Sequence, residues 1–353
     1  METRHVIDIC DLSKETWLDL VELAGKIAKD PSAYAKVAEG KVLATLFYEP
    51  STRTQMSFQT AMLRLGGKVI GFSDPNSSSV SKGETIKDTL RVISGYADII
   101  AMRHPMAGAA KAASMASRVP VINAGDGGHL HPTQTLTDLV TLSHEKGRLD
   151  HLCIGLCGDL ENGRTVHTLI RAMTQFPGNS FVLISTPELA LPQTERELLE
   201  KSGCKWKVCN DLEQAMPELD VLYMTRIQRE RFASVEEYKR QRGVYVLDAA
   251  KMSKAKEDMV VLHPLPRVDE ITIEVDDDPR AKYFEQTEYG MYARMALMIY
   301  MLRNERRMPE AWPKSDERKC NNLRCITQKE KYLPAQFCKE GEADVCAYCG
   351  KPL

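Results

Sequence analysis

Residues 41–73 read KVLATLFYEPSTRTQMSFQTAMLRLGGKVIGFS. An apolar run ends at Tyr48, Pro50 breaks it, a helical stretch runs to Leu65, and paired glycines precede a second apolar run. The order is strand, helix, strand. It recurs along the chain: "ADIIAMR" and "VPVINAG" complete a first set of four buried strands, and "HLCIGLCGD", "SFVLIST", "DVLYMTR" and "MVVLHPLP" form a second. Two α/β domains with open parallel sheets follow, with ligands expected at the C-terminal ends of the strands. The expected divisions are 1–135, 136–285, a helix at about 286–303 returning to the first domain, a linker at 304–319 and a small tail at 320–353.

Composition narrows the function classes. The chain has 353 residues, 43% hydrophobic, with a net charge of -2. That balance gives no general attraction to nucleic acid or to an anionic membrane, so anion binding must come from locally placed arginines. No apolar run approaches the ~20 residues of a membrane span, and the N-terminus "METRHVIDIC" is charged where a secretory signal would be apolar. The expected compartment is the cytoplasm.

Within the opening stretch, Ser51, Thr52, Arg53 and Thr54 stand where a strand gives way to a helix. Three hydroxyls, a guanidinium and the free N–H groups of a helix start make a phosphate site. The plain alternative is an ordinary Ser/Thr helix cap beside a surface arginine. Two further strand ends in the same half also carry polar groups. "AMRHP" brings Arg103, and "INAGDGGHLHPTQ" brings His131 and Gln134. Convergence of three strand ends on one sheet edge favours the ligand reading.

These three motifs, S-T-R-T, M-R-H and H-P-T-Q, occur in that order and resemble the carbamoyltransferases, from about Val6 to Arg303. One departure is Gln55, where many members have a second arginine. The acceptor amine divides the family, and "VLHPLPR" resembles the aspartate branch, whereas the ornithine branch carries H-C-L-P there. Arg164 in "GDLENGRTVHT" and Arg226 with Gln228 in "YMTRIQRER" suit a dicarboxylate and would repel a diamino acid.

The resemblance implies transfer of a carbamoyl group from carbamoyl phosphate to L-aspartate, an early step of pyrimidine biosynthesis. It implies that Ser51, Thr52, Arg53 and Thr54 clamp the phosphate, and that Thr54, Arg103 and His131 polarise the carbonyl. Gln134 and the backbone carbonyls of Pro264 and Leu265 would orient the carbamoyl group and the amine. Lys82 and one of the serines Ser77, Ser78 and Ser79, with Ser78 the match by alignment from "KGET", would reach a neighbouring subunit's site from the polar loop "NSSSVSKGETIKDT", which makes a homotrimer the smallest active unit. Glu49 would pair with Arg164 and Arg231 on closure. Other readings are an ornithine-type enzyme and a non-catalytic scaffold of this fold.

Five of the ten cysteines lie in the last 34 residues. Cys320, Cys325, Cys346 and Cys349 are spaced C-x4-C, twenty residues, C-x2-C, the paired knuckles of a structural Zn2+ site, with Cys338 as a spare thiol. Disulfides or unused thiols are the alternative. The tail resembles the zinc domain of the regulatory chain that accompanies some bacterial members of the aspartate branch. A nucleic-acid or adaptor ribbon is disfavoured by the acidity of "KEGEAD". Because every candidate catalytic residue precedes Arg303, the metal is expected to serve assembly and not chemistry.

Overall fold

The computed structural model describes residues 4–229, 232, 234–340 and 343–353. The chain forms two compact units, one of residues 1–136 with 291–353, the other of residues 137–290.

In the first unit a four-stranded parallel sheet has the order β2-β1-β3-β4, with β1 Val42–Phe47, β2 Lys68–Phe72, β3 Ile99–His104 and β4 Val121–Asp126. Inner strands β1 and β3 are buried almost throughout, as parallel strands covered on both faces should be, which is why they read as unbroken apolar runs. β4 is buried too although it closes the row, because the N-terminal segment covers its edge: Val6 N–H donates to Val121 O at 2.9 Å and Asn123 N–H to Val6 O at 2.8 Å. The Lys14–Lys29 helix begins on Ser13, whose hydroxyl accepts the Thr16 N–H. It buries Trp17, Leu20, Val21, Ala24 and Ile27, a single stripe at helical spacing.

The second unit has five parallel strands, order β7-β6-β5-β8-β9: β5 Cys153–Cys157, β6 Ser180–Ile184, β7 Lys205–Cys209, β8 Val221–Met224 and β9 Val260–Leu262. β7 is one strand more than the apolar runs indicate. "KWKVC" is an edge strand of mostly exposed residues, so it carries no apolar run to find. Beside β5, buried Asn179 ties three backbone groups: its Oδ1 accepts Leu152 N–H at 2.9 Å, and its Nδ2 donates to Leu149 O and Met173 O at 3.0 and 2.9 Å.

The chain passes between units inside helices, Pro132–Lys146 and Glu285–Met301. The end of the latter belongs to the first unit, where the Arg294 guanidinium donates to Ser57 Oγ at 3.1 Å and lies over the Phe58 ring. The stretch expected as a linker lies against the same unit: Arg307 N–H donates to Arg118 O at 3.0 Å and Trp312 Nε1 to Met115 O at 3.2 Å. The tail follows, with antiparallel strands β10 Phe337–Glu340 and β11 Ala343–Cys346. Its buried cysteines, Ile326 and Tyr348 share one core with Ala107, Ala109 and Ala113. Among the described residues no helix is long and apolar enough to cross a membrane.

Asn179→Ala strips three buried backbone groups of their partner. Unfolding of the second unit in urea should show a loss of about 3 kcal/mol or more, since each of the three orphaned buried groups costs about 1–3 kcal/mol.

Candidate active site and metal centre

In a parallel sheet all strands end on one edge, and a crevice opens where neighbouring strands run their connections in opposite directions. The first sheet reverses between β1 and β3, and the second between β5 and β8. The sequence-predicted groups lie at both places. Ser51 to Thr54 follow β1, and Arg103 stands one residue before the end of β3, paired in register with Phe47. Arg164 opens the Arg164–Met173 helix after β5, and Arg226 follows β8.

The Thr52–Arg64 helix begins without a side-chain cap: Ser51 occupies the cap position and its hydroxyl makes no capping bond. An ordinary cap is thereby ruled out for that serine. Arg103 is 14% exposed; one of its nitrogens lies 2.7 Å from Glu49 Oε1. Its buried Nε has no hydrogen-bond partner among the described residues. Burial, opposed by Glu49, lowers its pKa, and partial burial with the Arg103 charge lowers that of Arg53. Two crowded guanidinium groups, an open N–H and an uncapped helix start form a site that an anion stabilises. Gln55, where the second arginine was absent, points its amide at Thr45 Oγ1 and Phe72 O, 3.5 and 3.4 Å away, and so ties the helix to the sheet.

His131 is buried just before the Pro132–Lys146 helix, with Thr133 Oγ1 3.4 Å from its Nδ1, and its carbonyl accepts Gln134 N–H at 2.9 Å. Asp126, which sequence reasoning missed, organises this loop. Its carboxylate accepts Gly108 N–H at 2.7 Å, Leu130 N–H at 3.0 Å and Asn123 Nδ2 at 3.1 Å, and lies 3.1 Å from His129 Nδ1. The signal was a lone aspartate in a glycine-rich turn, a residue whose side chain holds nearby backbone N–H groups.

In the second unit Gln228 Nε2 donates to Asn162 O at 3.1 Å, joining the loops after β8 and β5. After β9, His263 Nδ1 accepts Leu265 N–H at 2.7 Å, so the ring proton is on Nε2, 2.7 Å from Glu270 Oε1. This bond holds Leu265 at a φ of 53°, before a cis peptide to Pro266. Burial works against the Glu270 carboxylate, but the His263 bond and the Val268 N–H keep its pKa below the usual range. Glu270 was also missed, because the adjacent acids of "PRVDE" read as an ordinary polar turn.

The polar loop contains two short turns of 3-10 helix, Pro75–Ser77 and Ser79–Lys82. Ser78 Oγ caps the second by accepting Val80 N–H and donates to Pro75 O, while Lys82 is exposed. Glu49, matched to a partnership with Arg164 and Arg231, here binds Arg103. Arg231 lies outside the described residues.

Cys320, Cys325, Cys346 and Cys349 are buried with their sulfurs all within 4.8 Å of one another. The Cys320–Cys349 and Cys325–Cys346 separations are 3.6 and 3.9 Å. These exceed the ~2.05 Å of a disulfide. They match the ~3.8 Å edge of a tetrahedron with metal–sulfur bonds of ~2.3 Å. Burial pushes the Cys320 thiol up to about 12, and a metal ion would favour its thiolate form. The group can hold a metal ion. Cys338 is exposed and stands outside it.

Residues 4–144 match the family model for the aspartate/ornithine carbamoyltransferase carbamoyl-P binding domain, and residues 150–301 match that for the Asp/Orn binding domain. The aspartate carbamoyltransferase catalytic subunit of Clostridium perfringens is 58% identical over 303 residues, covering 86% of this chain and 99% of its own. This chain belongs to the aspartate/ornithine carbamoyltransferase family. The catalytic subunit of Clostridium kluyveri is also 58% identical, over 302 residues, with 86% and 99% covered. Among solved structures, the catalytic subunit of M. jannaschii aspartate transcarbamoylase is 46% identical with a TM-score of 0.80, covering 85% of this chain and 98% of that one. The Trypanosoma cruzi aspartate transcarbamoylase in complex with N-(phosphonacetyl)-L-aspartic acid is 37% identical, also with a TM-score of 0.80, over 85% and 96%.

Metal analysis of the purified chain should find about one ion per chain, bound through sulfur, and Cys346→Ala should reduce that to near zero. Unchanged metal content in the variant would show that the four sulfurs are not the ligands.

Proposed function

We propose that this protein transfers the carbamoyl group of carbamoyl phosphate to the amine of L-aspartate, giving N-carbamoyl-L-aspartate and phosphate. The observation that carries the assignment is the pair of switch points, one bearing Ser51, Arg53 and Arg103, the other Arg164 and Arg226. It is a transferase, and the names of its relatives support aspartate as the acceptor. Residues 1–135 are assigned to carbamoyl phosphate and residues 136–285 to aspartate. The step belongs to pyrimidine synthesis in the cytoplasm.

The neutral amine attacks the carbonyl carbon, a C–N bond forms, and the C–O bond to phosphate breaks. Ser51, Thr52, Arg53 and Thr54 hold the leaving phosphate, whose charge is offset by the helix start and the Arg53 guanidinium. Thr54, Arg103 and His131 donate to the carbonyl oxygen as it gains charge, the larger part of the rate enhancement. Gln134 and the backbone carbonyls of Pro264 and Leu265 orient the carbamoyl NH2 and the amine, the latter pair held in place by His263 and Glu270. Departing phosphate accepts the amine proton, so no side chain is needed as base.

Arg164, Arg226 and Gln228 hold the aspartate carboxylates, two guanidinium groups suiting two carboxylates and repelling a cationic amino acid. Ser78 and Lys82 serve the site of a neighbouring subunit in a homotrimer, which the exposure of Lys82 supports. Glu49 and Arg231 act on closure, with Glu49 leaving Arg103 as substrate arrives. Zn2+ is the ion of the four-cysteine group, a donor set of soft thiolates in a tetrahedron that selects it.

Assays with aspartate and ornithine in parallel should give turnover with aspartate alone. Arg53→Ala should lower kcat by about a hundredfold or more without unfolding, since it removes charge from the leaving group. A change confined to the aspartate KM would contradict that role. Inactive Lys82→Ala chains mixed with inactive Arg53→Ala chains should regain some activity, because a mixed trimer contains sites free of both lesions. No recovery after verified subunit exchange would refute the shared site.

A further inference from the structure

The four-cysteine tail grips the loops that follow Arg103 and precede His131. Its first knuckle pairs with the backbone beside Arg103: Ala107 N–H donates to Arg324 O at 3.0 Å and Ile326 N–H to Ala107 O at 2.9 Å, one bond on each side of Cys325. Its second knuckle closes on the next residue. Gly108 has a φ of 82°, and a Cβ there would lie 2.6 Å from both Cβ and O of Tyr348, between Cys346 and Cys349. Only glycine admits this approach. Gly350 packs likewise on His129, a Cβ there lying 3.2 Å from the ring Nε2.

Asp126 carries these contacts inward. The Gly108 N–H pressed under the knuckle donates to Asp126, and the same carboxylate holds Leu130 N–H, immediately before His131. A third contact reaches the helix that follows the Lys82 loop. The Ile86–Ile93 helix has its first N–H groups satisfied partly by the tail, with Lys87 N–H donating to Tyr332 Oη at 3.0 Å, and Lys87 Nζ lies 4.5 Å from the centre of the Trp312 ring. The knuckles have few apolar residues of their own, so their shape depends on the metal.

We propose that the metal-loaded tail is a clamp that positions Arg103 and His131 of its own subunit through Ala107, Gly108 and Asp126, so that metal occupancy governs catalytic efficiency as well as assembly. The roles of Arg103 and His131 rest on the function proposed above. Asp126 is a positioning residue, reaching the reacting atoms only through the backbone it holds. The expectation that the metal serves assembly alone is replaced by a direct mechanical coupling, because both knuckles sit on active-site loops and not on a remote face.

Hydrogen exchange followed by mass spectrometry on the full chain, with metal and as Cys346→Ala, tests the clamp. In the metal-free chain, exchange should quicken at residues 104–108 and 126–131 and stay unchanged at residues 180–209 of the second unit. Turnover per trimer, with trimers verified by sedimentation, should fall about tenfold or more, as small displacements of reacting groups do. Chelation of the unmutated chain should reproduce both changes, and zinc add-back should reverse them. Unchanged exchange at the two loops, or an equal increase in the second unit, overturns the proposal. Should Cys346→Ala not fold, Gly108→Ala keeps all four sulfurs while wedging Tyr348 away. It should retain metal and lose turnover, and full turnover in that variant also overturns the clamp. Exchange needs no substrate, so a metal-loaded chain inactive towards aspartate defeats the functional reading and leaves the clamp to be decided by exchange alone.

Discussion

Parallel strands deliver everything at their C-terminal ends to one edge of a sheet, and the reversal of connections within each sheet opens a crevice there. Each unit uses that constraint once. The hydroxyl cluster and Arg103 come from strands on either side of the first reversal, Arg164 and Arg226 from either side of the second. None of these residues needs to be near another in sequence. What brings each pair together is strand order, with β1, β3, β5, β6 and β8 buried as the inner strands.

Charge at the first crevice is arranged for a guest. Ser51 stands in a position where serine ordinarily caps the helix, a contribution of about 1 kcal/mol, yet makes no such bond. Partial burial and the Arg103 charge lower the pKa of Arg53, and the buried Nε of Arg103 lacks a partner among the described residues. Glu49 neutralises part of this charge. A structure optimised for stability alone would cap the helix and separate the cations; a bound anion would relieve all three features at once.

The tail adds a second layer of organisation. Its four sulfurs are drawn from two knuckles that lie on consecutive residues, Ala107 and Gly108, of the loop that follows β3. Asp126 connects that loop to the one preceding His131. Loops at the ends of parallel strands are usually among the least stable parts of a domain, and here they are held from behind by a small element whose four cysteines could hold a metal ion.

Much of this was legible in the sequence because the signals are local. Apolar runs marked all the buried strands, the order of three motifs marked the family, and cysteine spacing marked the metal group. β7 escaped because an edge strand has one wet face and little apolar content, and Asp126 and Glu270 escaped because carboxylates in a polar turn make no pattern. Sequence by itself determined the succession of strands and helices, the family and the spacing of the four cysteines. Only the tertiary structure decided that Ser51 does not cap its helix, that Glu49 faces Arg103 and that the tail seats on the loops of its own chain. Those outcomes depend on contacts such as Ala107 with Cys325, set by packing between segments far apart along the chain, where no periodicity or spacing rule reaches.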